Sequence, residues 1–262
     1  MNPVPTLESA PSRRPAPGDE VTLLGVRFDR LTRGQALSAM EEAFGRGEAR
    51  KIFIVNAHTL NLAWRNQDFR EVLNDADLLL NDGTGAQIAS RLAGSPFPDN
   101  LVGTDLVPQL CERAARRGVG VFLIGGQQGV ADRAARKLCR TINGLHISGT
   151  HHGYFRQGEE NRLCEAINQT AAGIVLVALG NPLQENWIDR NAFRLDCDLC
   201  IGVGGLFDHL SGRLRRAPLW IRRLGMEWAF ILVCQPHKWH RYLLGNPLFL
   251  IRALRDRLRL VR

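Results

Sequence analysis

Short apolar segments alternate with amphipathic helical segments along most of this chain, and this alternation is the feature that most restricts its fold. Short continuous apolar runs are typical of strands buried on both faces, and strands separated by helices form βαβ units. We therefore predict an α/β fold with a mainly parallel sheet and helices on both faces. The predicted strands are Val21–Phe28, Ile52–Val55, Leu78–Leu80, Val119–Ile124, Leu145–Ile147, Ile174–Leu179 and Leu199–Val203.

Composition divides the chain into three parts. Residues 1–20 are rich in Pro, Ser and Arg and lack the apolar segment of a signal peptide, so we predict a disordered leader on a protein that stays in the cytoplasm. Residues 21–212 form the predicted α/β core. Residues 213–262 form a predicted helical appendage, in which twelve basic residues stand against two acidic ones, although the net charge of the whole chain is only +8.

The basic appendage predicts an anionic partner, such as a phospholipid surface, a diphosphate or a nucleic acid. Trp220, Trp228 and Trp239 lie among its arginines, and such rings favour the interface between lipid headgroups and acyl chains. Its longest apolar run, Trp228–Cys234, is far shorter than the roughly 20 residues of a membrane-spanning helix. We predict that the appendage docks on a membrane surface. The alternative is a helical pair packed on the core with a solvated basic face.

Polar and glycine-rich motifs follow five of the predicted strands. In a parallel sheet the carboxyl ends of the strands meet at one edge, where ligands bind. The sequence therefore predicts that these motifs converge on one rim. They are Asn56-Ala57-His58, Asn81-Asp82-Gly83-Thr84-Gly85, Gly125-Gly126, Gly180-Asn181-Pro182-Leu183-Gln184 and Gly204-Gly205.

Asp82 is the strongest candidate for chemistry, because a carboxylate at a strand end is placed to accept a proton from a bound hydroxyl. The alternative is that Asp82 caps the helix that follows it. We predict no metal site: Asp75–Asp77 and Asp196–Asp198 are expected to flank strand starts, and the Cys197–Cys200 pair has no second pair at zinc spacing. The glycine pairs match neither dinucleotide-binding nor P-loop patterns, so no cofactor is predicted.

The order of these motifs resembles the WecG/TagA/CpsF glycosyltransferases, over about Thr22 to Tyr242. The elements that carry the resemblance are Val55-Asn56-Ala57, Ala76-Asp77, Asn81–Gly85, Gly103–Leu106, Leu123–Gly126, Leu179–Ile188, Gly202–Asp208, Arg216-Ala217-Pro218, Trp220, Gly225, Glu227-Trp228 and Arg241-Tyr242. The predicted α/β sheet is then Rossmann-like.

The resemblance implies a membrane-associated enzyme that moves a sugar from a UDP-sugar to a polyprenyl-diphosphate-linked saccharide during exopolysaccharide or cell-envelope assembly. It implies that Asp82 is the general base. With arginines of the appendage supplying positive charge for the departing diphosphate, we expect a single displacement that inverts configuration and needs no metal. The expected location is the inner face of the plasma membrane. The expected substrate-binding residues are Asn56, Thr84, Gly103, Thr104, Asp105, Gly125, Gly126, Asn181, Gln184, Gly204, Gly205, Arg216, Arg222 and Arg223.

Two positions depart from the family pattern: Ile54 stands where many members have threonine, and Asn100 where many have arginine. Two rival functions stay open at this stage. One is a nucleic-acid-binding protein that uses the basic appendage on phosphates, although we predict no nucleic-acid partner. The other is a membrane-bound scaffold of the same fold that has lost catalysis. The donor sugar and a homo-oligomeric state are also left open.

Overall fold

Six parallel strands form the central sheet of this computed structural model, which describes residues 20–218, 220–221, 226–235 and 239–260. The predicted leader, apart from Glu20, lies outside the described residues. A hairpin precedes the sheet and consists of β1 (Glu20–Leu23) and β2 (Val26–Asp29). The sheet has the spatial order β4-β3-β8-β7-β5-β6 and is built from β3 (Arg50–Val55), β4 (Leu78–Asn81), β5 (Val121–Gly125), β6 (Ile147–His151), β7 (Ile174–Ala178) and β8 (Leu199–Gly202).

Helices connect these strands, as the alternating sequence pattern predicts. Two short 3₁₀ turns, 157–159 and 192–194, and a π-helical segment, 240–245, complete the described elements. The helices are α1 (Arg33–Glu41), α2 (Ala57–Arg65), α3 (Gln67–Asn74), α4 (Gly83–Leu92), α5 (Gly103–Arg117), α6 (Val130–Thr141), α7 (Glu160–Asn168), α8 (Leu183–Asn191), α9 (Leu206–Leu210), α10 (Glu227–Cys234) and α11 (Asn246–Leu260).

The hydrophobic core has two parts, one on each face of the sheet. Alternate residues of β3 separate between them: Phe53 and Val55 belong to one cluster, and Ile52 and Ile54 to the other. The first cluster is covered by α2, α3, α4, α7, α8 and α11, and the second by α1, α5, α6 and α9. A sheet buried on both faces explains why its strands are continuous apolar runs. The predicted α/β class is confirmed.

The prediction of one strand at Val21–Phe28 is wrong, because the chain reverses inside that segment. Leu24 and Gly25 have φ angles of 54° and 77°, which are typical of a two-residue turn in a tight hairpin. Leu24 is nevertheless buried, so the turn is apolar and carries no sequence signal of its own at that residue. The resulting hairpin packs beside β4, where Leu79 donates its backbone N–H to Asp29.

Helix α11 packs on the core, although it belongs to the predicted appendage. Phe249 is fully buried in the core cluster, and α11 contacts α2 and α4. Arg252 donates to Asn61 Oδ1 at 2.6 Å, and its guanidinium lies 5.7 Å from the centroid of the Trp64 ring. The packed-helix alternative therefore holds for this part of the appendage. Within the described residues, no helix is both long and apolar enough to cross a membrane.

Candidate active site

A cavity of about 290 Å³ lies at the carboxyl edge of the sheet. Its walls come from the segments that follow β3, β4, β7 and β8, together with the start of α5 and one side of α10. This is the rim that the sequence predicts. The cavity is lined by nine of the predicted site residues, which are Asn56, Asp82, Thr84, Gly103, Thr104, Asn181, Gln184, Gly204 and Gly205.

Asn56 directly follows β3, and its side-chain amide contacts Asp82. Its Oδ1 accepts from the backbone N–H groups of His58 and Thr59 at 3.1 and 3.3 Å, so this oxygen caps α2. Because the oxygen is held by the helix, the amide nitrogen faces the other way, and Nδ2 donates to Asp82 Oδ2 at 3.4 Å. Asn56 thus links a helix cap to the candidate base.

Asp82 occupies the N-cap position of α4, but its carboxylate makes no capping hydrogen bond. The backbone N–H of Gly83 instead donates to Asn100 Oδ1 at 2.8 Å. Asn100 therefore satisfies the first backbone N–H group of α4 from the loop that precedes α5. The helix-cap alternative does not explain why a carboxylate stands at position 82, since another side chain performs that role.

A second hydrogen-bonded group lies on the opposite side of the cavity, where β7 leads into α8. The backbone N–H of Gly204 donates to Gln184 Oε1 at 3.0 Å, and Gln184 Nε2 donates to Glu185 Oε1 at 2.9 Å. Asn181 Nδ2 donates to the same oxygen of Glu185. The glycine loop after β8 is thereby tied to α8 through buried side chains.

Gly103 and Thr104 line the cavity at the start of α5, whereas Asp105, the next residue, does not. Asp105 forms a two-pronged ion pair with Arg216: Nη1 donates to Oδ1 at 2.7 Å and Nη2 to Oδ2 at 2.5 Å. Bidentate pairs of this kind are among the stronger charge-assisted contacts. The structure thus places Arg216 beside the cavity, bound to a carboxylate. Arg222 and Arg223 lie outside the described residues.

Gly125 and Gly126 follow β5 but do not line the cavity. A Cβ added at Gly125 would lie 2.3 Å from the carbonyl oxygen of Ala178, and one at Gly126 would lie 2.7 Å from the side chain of Val130. Their φ angles, 142° and 70°, also favour glycine. Close packing of the protein on itself accounts for both glycines, so their expected contact with substrate stays a prediction.

The two D-x-D patterns lie at the amino ends of the strands, away from the cavity. Asp77 accepts from the backbone N–H of Lys51 at 2.8 Å, and Asp75 pairs with the Lys51 ammonium group. Asp198 accepts from the backbone N–H groups of Gly45 and Gly47, each at 2.9 Å. These carboxylates therefore stabilise the fold through contacts within the protein. Across the described parts of the chain, no group of three or more His, Cys, Asp or Glu side chains is arranged to hold a metal ion.

Sequence reasoning did not identify three features of this site. Asn100 was recognised only as a departure from a family pattern, and Glu185 only as part of a motif. Trp228 and Ile231 of α10, and Gln235 directly after it, line the cavity, although the sequence assigned this region to membrane contact. Ile54, the other departure, also lines the cavity with an apolar side chain.

Comparison with known proteins places these observations in a family. A sequence model of the glycosyl transferase WecG/TagA/CpsF family matches residues 21–262. The chain is 32% identical over 181 residues to the N-acetylglucosaminyldiphosphoundecaprenol N-acetyl-beta-D-mannosaminyltransferase of Bacillus spizizenii (strain ATCC 23059 / NRRL B-14472 / W23), covering 69% of this chain and 70% of the relative. It is 29% identical over 205 residues to the protein of the same description from Bacillus subtilis (strain 168), covering 78% and 79%.

Proposed function

The chain belongs to the WecG/TagA/CpsF family of glycosyl transferases, and from this premise we propose that it moves a hexose or N-acetylhexosamine from a UDP-sugar to a polyprenyl-diphosphate-linked saccharide. The acceptor is inferred from the two Bacillus relatives, both described as acting on N-acetylglucosaminyldiphosphoundecaprenol. N-acetylmannosamine and glucose are the first donor sugars to test. The proposed setting is the synthesis of an exopolysaccharide or cell-envelope polysaccharide.

The placement of Asp82 is the observation that carries this proposal. Asp82 lines the cavity, its carboxylate accepts from Asn56 Nδ2, and it makes no capping hydrogen bond to α4. A carboxylate so placed accepts the proton of the acceptor hydroxyl as that oxygen attacks the anomeric carbon. The hydroxyl becomes more acidic as the new bond forms, so an aspartate is a sufficient base. A single displacement inverts the configuration at the anomeric carbon.

The departing diphosphate requires positive charge, which we assign to arginines of the appendage. Arg216 is the described candidate, because its partner Asp105 directly follows two residues that line the cavity. The side chain of Arg216 is 27% exposed, which leaves part of the guanidinium accessible to a ligand. Arg222 and Arg223 are assigned the same role from the sequence. In this mechanism the arginines replace a divalent cation, so we propose that transfer is independent of metal.

Attachment to the membrane is assigned to the outer surface of the appendage. A lipid-linked acceptor lies in the bilayer, so its enzyme must reach the membrane surface, and basic residues with interfacial aromatic rings favour an anionic one. We propose peripheral association with the inner face of the plasma membrane. The exposed apolar side chains that would enter the interface include Trp220, Met226, Val233, Trp239, Leu243, Leu244, Ile251 and Leu254.

The experiment is a panel of UDP-sugars incubated with the purified protein and a polyprenyl-diphosphate-linked N-acetylglucosamine, read by release of UDP. We expect release that requires both the acceptor and one particular sugar, and no change on adding EDTA. Loss of activity in EDTA that Mn²⁺ or Mg²⁺ restores would contradict the metal-free mechanism. Absence of release across the panel, with vesicle binding intact, would favour an inactive scaffold. Salt-dependent binding to any DNA duplex would favour the nucleic-acid alternative.

A further inference from the structure

Glu185 is a fully buried carboxylate beside the cavity that the mechanism above does not use. Burial raises its pKa to about 7, although hydrogen bonds from Gln184, from its own backbone and from Asn181 act in the opposite direction. Among the described residues, its Oε2 has no hydrogen-bond partner. Burying a carboxylate is costly, so its presence at this position needs a reason.

The hydrogen bonds of Glu185 converge on one atom. Its Oε1 accepts from Asn181 Nδ2 and, at 2.9 Å, from Gln184 Nε2. The nitrogen and oxygen of a side-chain amide lie on opposite edges of one plane, so engaging the nitrogen decides where the oxygen points. The oxygen of Gln184 points at the backbone N–H of Gly204, at 3.0 Å. Asn181 lines the cavity, and its nitrogen is engaged behind the wall.

We propose that Glu185 is a positioning residue that turns the carbonyl oxygen of Asn181 into the cavity and holds Gln184 against the Gly204 loop. The inference rests on the proposed function and deepens it. An oxygen at this wall accepts a hydrogen bond from a hydroxyl or N–H group and repels a phosphate. The Asn181 side of the cavity therefore binds the sugar or the base of the nucleotide-sugar donor, and the diphosphate lies elsewhere.

This positioning survives a change in the protonation state of Glu185. A proton added to Oε2 leaves Oε1 free to accept both amide hydrogen bonds. Glutamine at position 185 reproduces this arrangement, with its nitrogen in the place of Oε2. Two charge pairs lie on the elements around it: Lys51 of β3 binds Asp189 at 2.8 Å, and Arg190 binds Glu160 at 3.1 Å. A glutamine variant is therefore the conservative test, and leucine is the disruptive one.

The test is calorimetric titration of UDP-N-acetylmannosamine, UDP-glucose and UDP into the wild type, Glu185→Gln and Glu185→Leu. We expect Glu185→Gln to bind within about twofold of the wild type, and Glu185→Leu to bind the nucleotide sugar about tenfold more weakly, as expected for one lost hydrogen bond. A loss confined to the nucleotide sugars assigns Asn181 to the sugar, and a loss that includes UDP assigns it to the base. The exposed Glu165, changed in the same two ways, is the matched control.

Asn181→Ala separates positioning from a general effect on folding, because Asn181 is only half-buried. We expect this variant to bind about tenfold more weakly by itself, and a further Glu185→Leu change to add no more than about twofold. Normal binding by Asn181→Ala, or penalties that add in full, would overturn the inference even if Glu185→Leu failed to fold. Wild-type protein that binds no nucleotide at all would overturn the proposed function itself, and this inference with it.

Discussion

The two walls of the cavity are built in different ways. The wall at the sheet edge includes the apolar side chain of Ile54 but is mainly polar, and two of its polar side chains, Asn56 and Gln184, are fixed by hydrogen bonds to the backbone. The wall contributed by α10 and the residue that follows it presents Trp228, Ile231 and Gln235, and α10 exposes Val233 to solvent at 81%. This difference indicates that the sheet wall can hold catalytic groups in a fixed geometry, whereas the appendage wall can contact an apolar ligand or the membrane interface.

The largest expected effect concerns the sheet wall. We expect Asp82→Asn to lower turnover by roughly 10²–10⁴-fold, because removal of a positioned general base has an effect of this size. The fold should be unchanged, since the side chain of Asp82 makes no capping hydrogen bond to α4 and asparagine is also a favoured N-cap residue. Steady-state UDP release, with circular dichroism as a check on folding, measures both. Normal turnover in the folded variant would end the assignment of Asp82 as base and would leave the two walls without a catalytic distinction.

The second prediction concerns the pH dependence of stability on the sheet wall. Glu185 has a pKa raised from 4.5 to about 7 by burial, so the folded protein keeps a proton that the unfolded chain releases. The free energy of unfolding of the wild type should therefore fall, relative to Glu185→Gln, as the pH rises through this range, by about 3 kcal/mol in total.

Urea unfolding of both proteins at about pH 5 and about pH 8 tests this dependence. The difference between the two proteins, and not the absolute stability, is the quantity to compare, because other groups titrate in both. Glu165→Gln, which removes an exposed carboxylate from α7, is the control and should show no such trend. A difference that stays constant with pH would contradict a buried, proton-retaining Glu185.

The third prediction tests the outer surface of the appendage. Arg255 and Arg257 are exposed on α11, and each basic residue near an anionic bilayer contributes roughly 1 kcal/mol to binding. Replacing both with Gln should weaken binding to anionic vesicles by about 2 kcal/mol, with turnover of a water-soluble acceptor unchanged. Co-sedimentation at low and high salt measures the binding. Arg136→Gln with Arg140→Gln on α6 makes the same charge change elsewhere, and an equal loss there would show only a net-charge effect.

The smallest expected effect concerns the boundary between the two walls. Replacing Arg216, Arg222 and Arg223 with Gln should lower turnover of a water-soluble acceptor by about tenfold. This is less than the loss of a buried transition-state donor, because Arg216 is partly exposed and is already bound to Asp105. The exposed arginines Arg133, Arg136 and Arg140 of α6 serve as the matched triple control. Full activity of the triple variant would mean that these arginines do not assist catalysis and that the appendage serves only to attach the protein to the membrane.

Much of the sheet was predictable, because a strand buried on both faces must be apolar throughout and its carboxyl end must carry polar residues if it serves a site. Two of the amides that line the cavity, Asn56 and Gln184, were assigned by family resemblance. Their hydrogen-bond directions were not predictable, since these depend on which backbone groups the fold brings near. The Asp105–Arg216 pair joins residues 111 positions apart, and no local pattern encodes that contact. The contact of Asn100 with the Gly83 N–H was not predictable either, because it depends on where the fold places the Asn100 loop.

Arg252 shows that composition alone does not predict which basic residues face a partner and which pack on the protein. The sequence counted it with the basic residues that face a partner, but its guanidinium binds Asn61 and lies over Trp64. Burial and the nearby positive charge of Arg65 lower its pKa. Removing residues 213–262 as a block would also uncover the core around Phe249. Substitutions on the outer surface therefore test attachment more cleanly than truncation.

The packing of α11 on α2 and α4 has a consequence for the order in which the site is completed. These two helices begin directly after Asn56 and Asp82, and Phe249 of α11 is the aromatic ring that a Cβ on Gly85 would meet at 3.8 Å. Residues 246–260 leave the ribosome after the whole α/β core. During synthesis, the two helices that follow Asn56 and Asp82 therefore form before α11 is available to pack on them. Among the described elements, α11 is therefore the last to be synthesised, and the sheet edge that carries Asn56 and Asp82 gains this packing only after the rest of the core has been made.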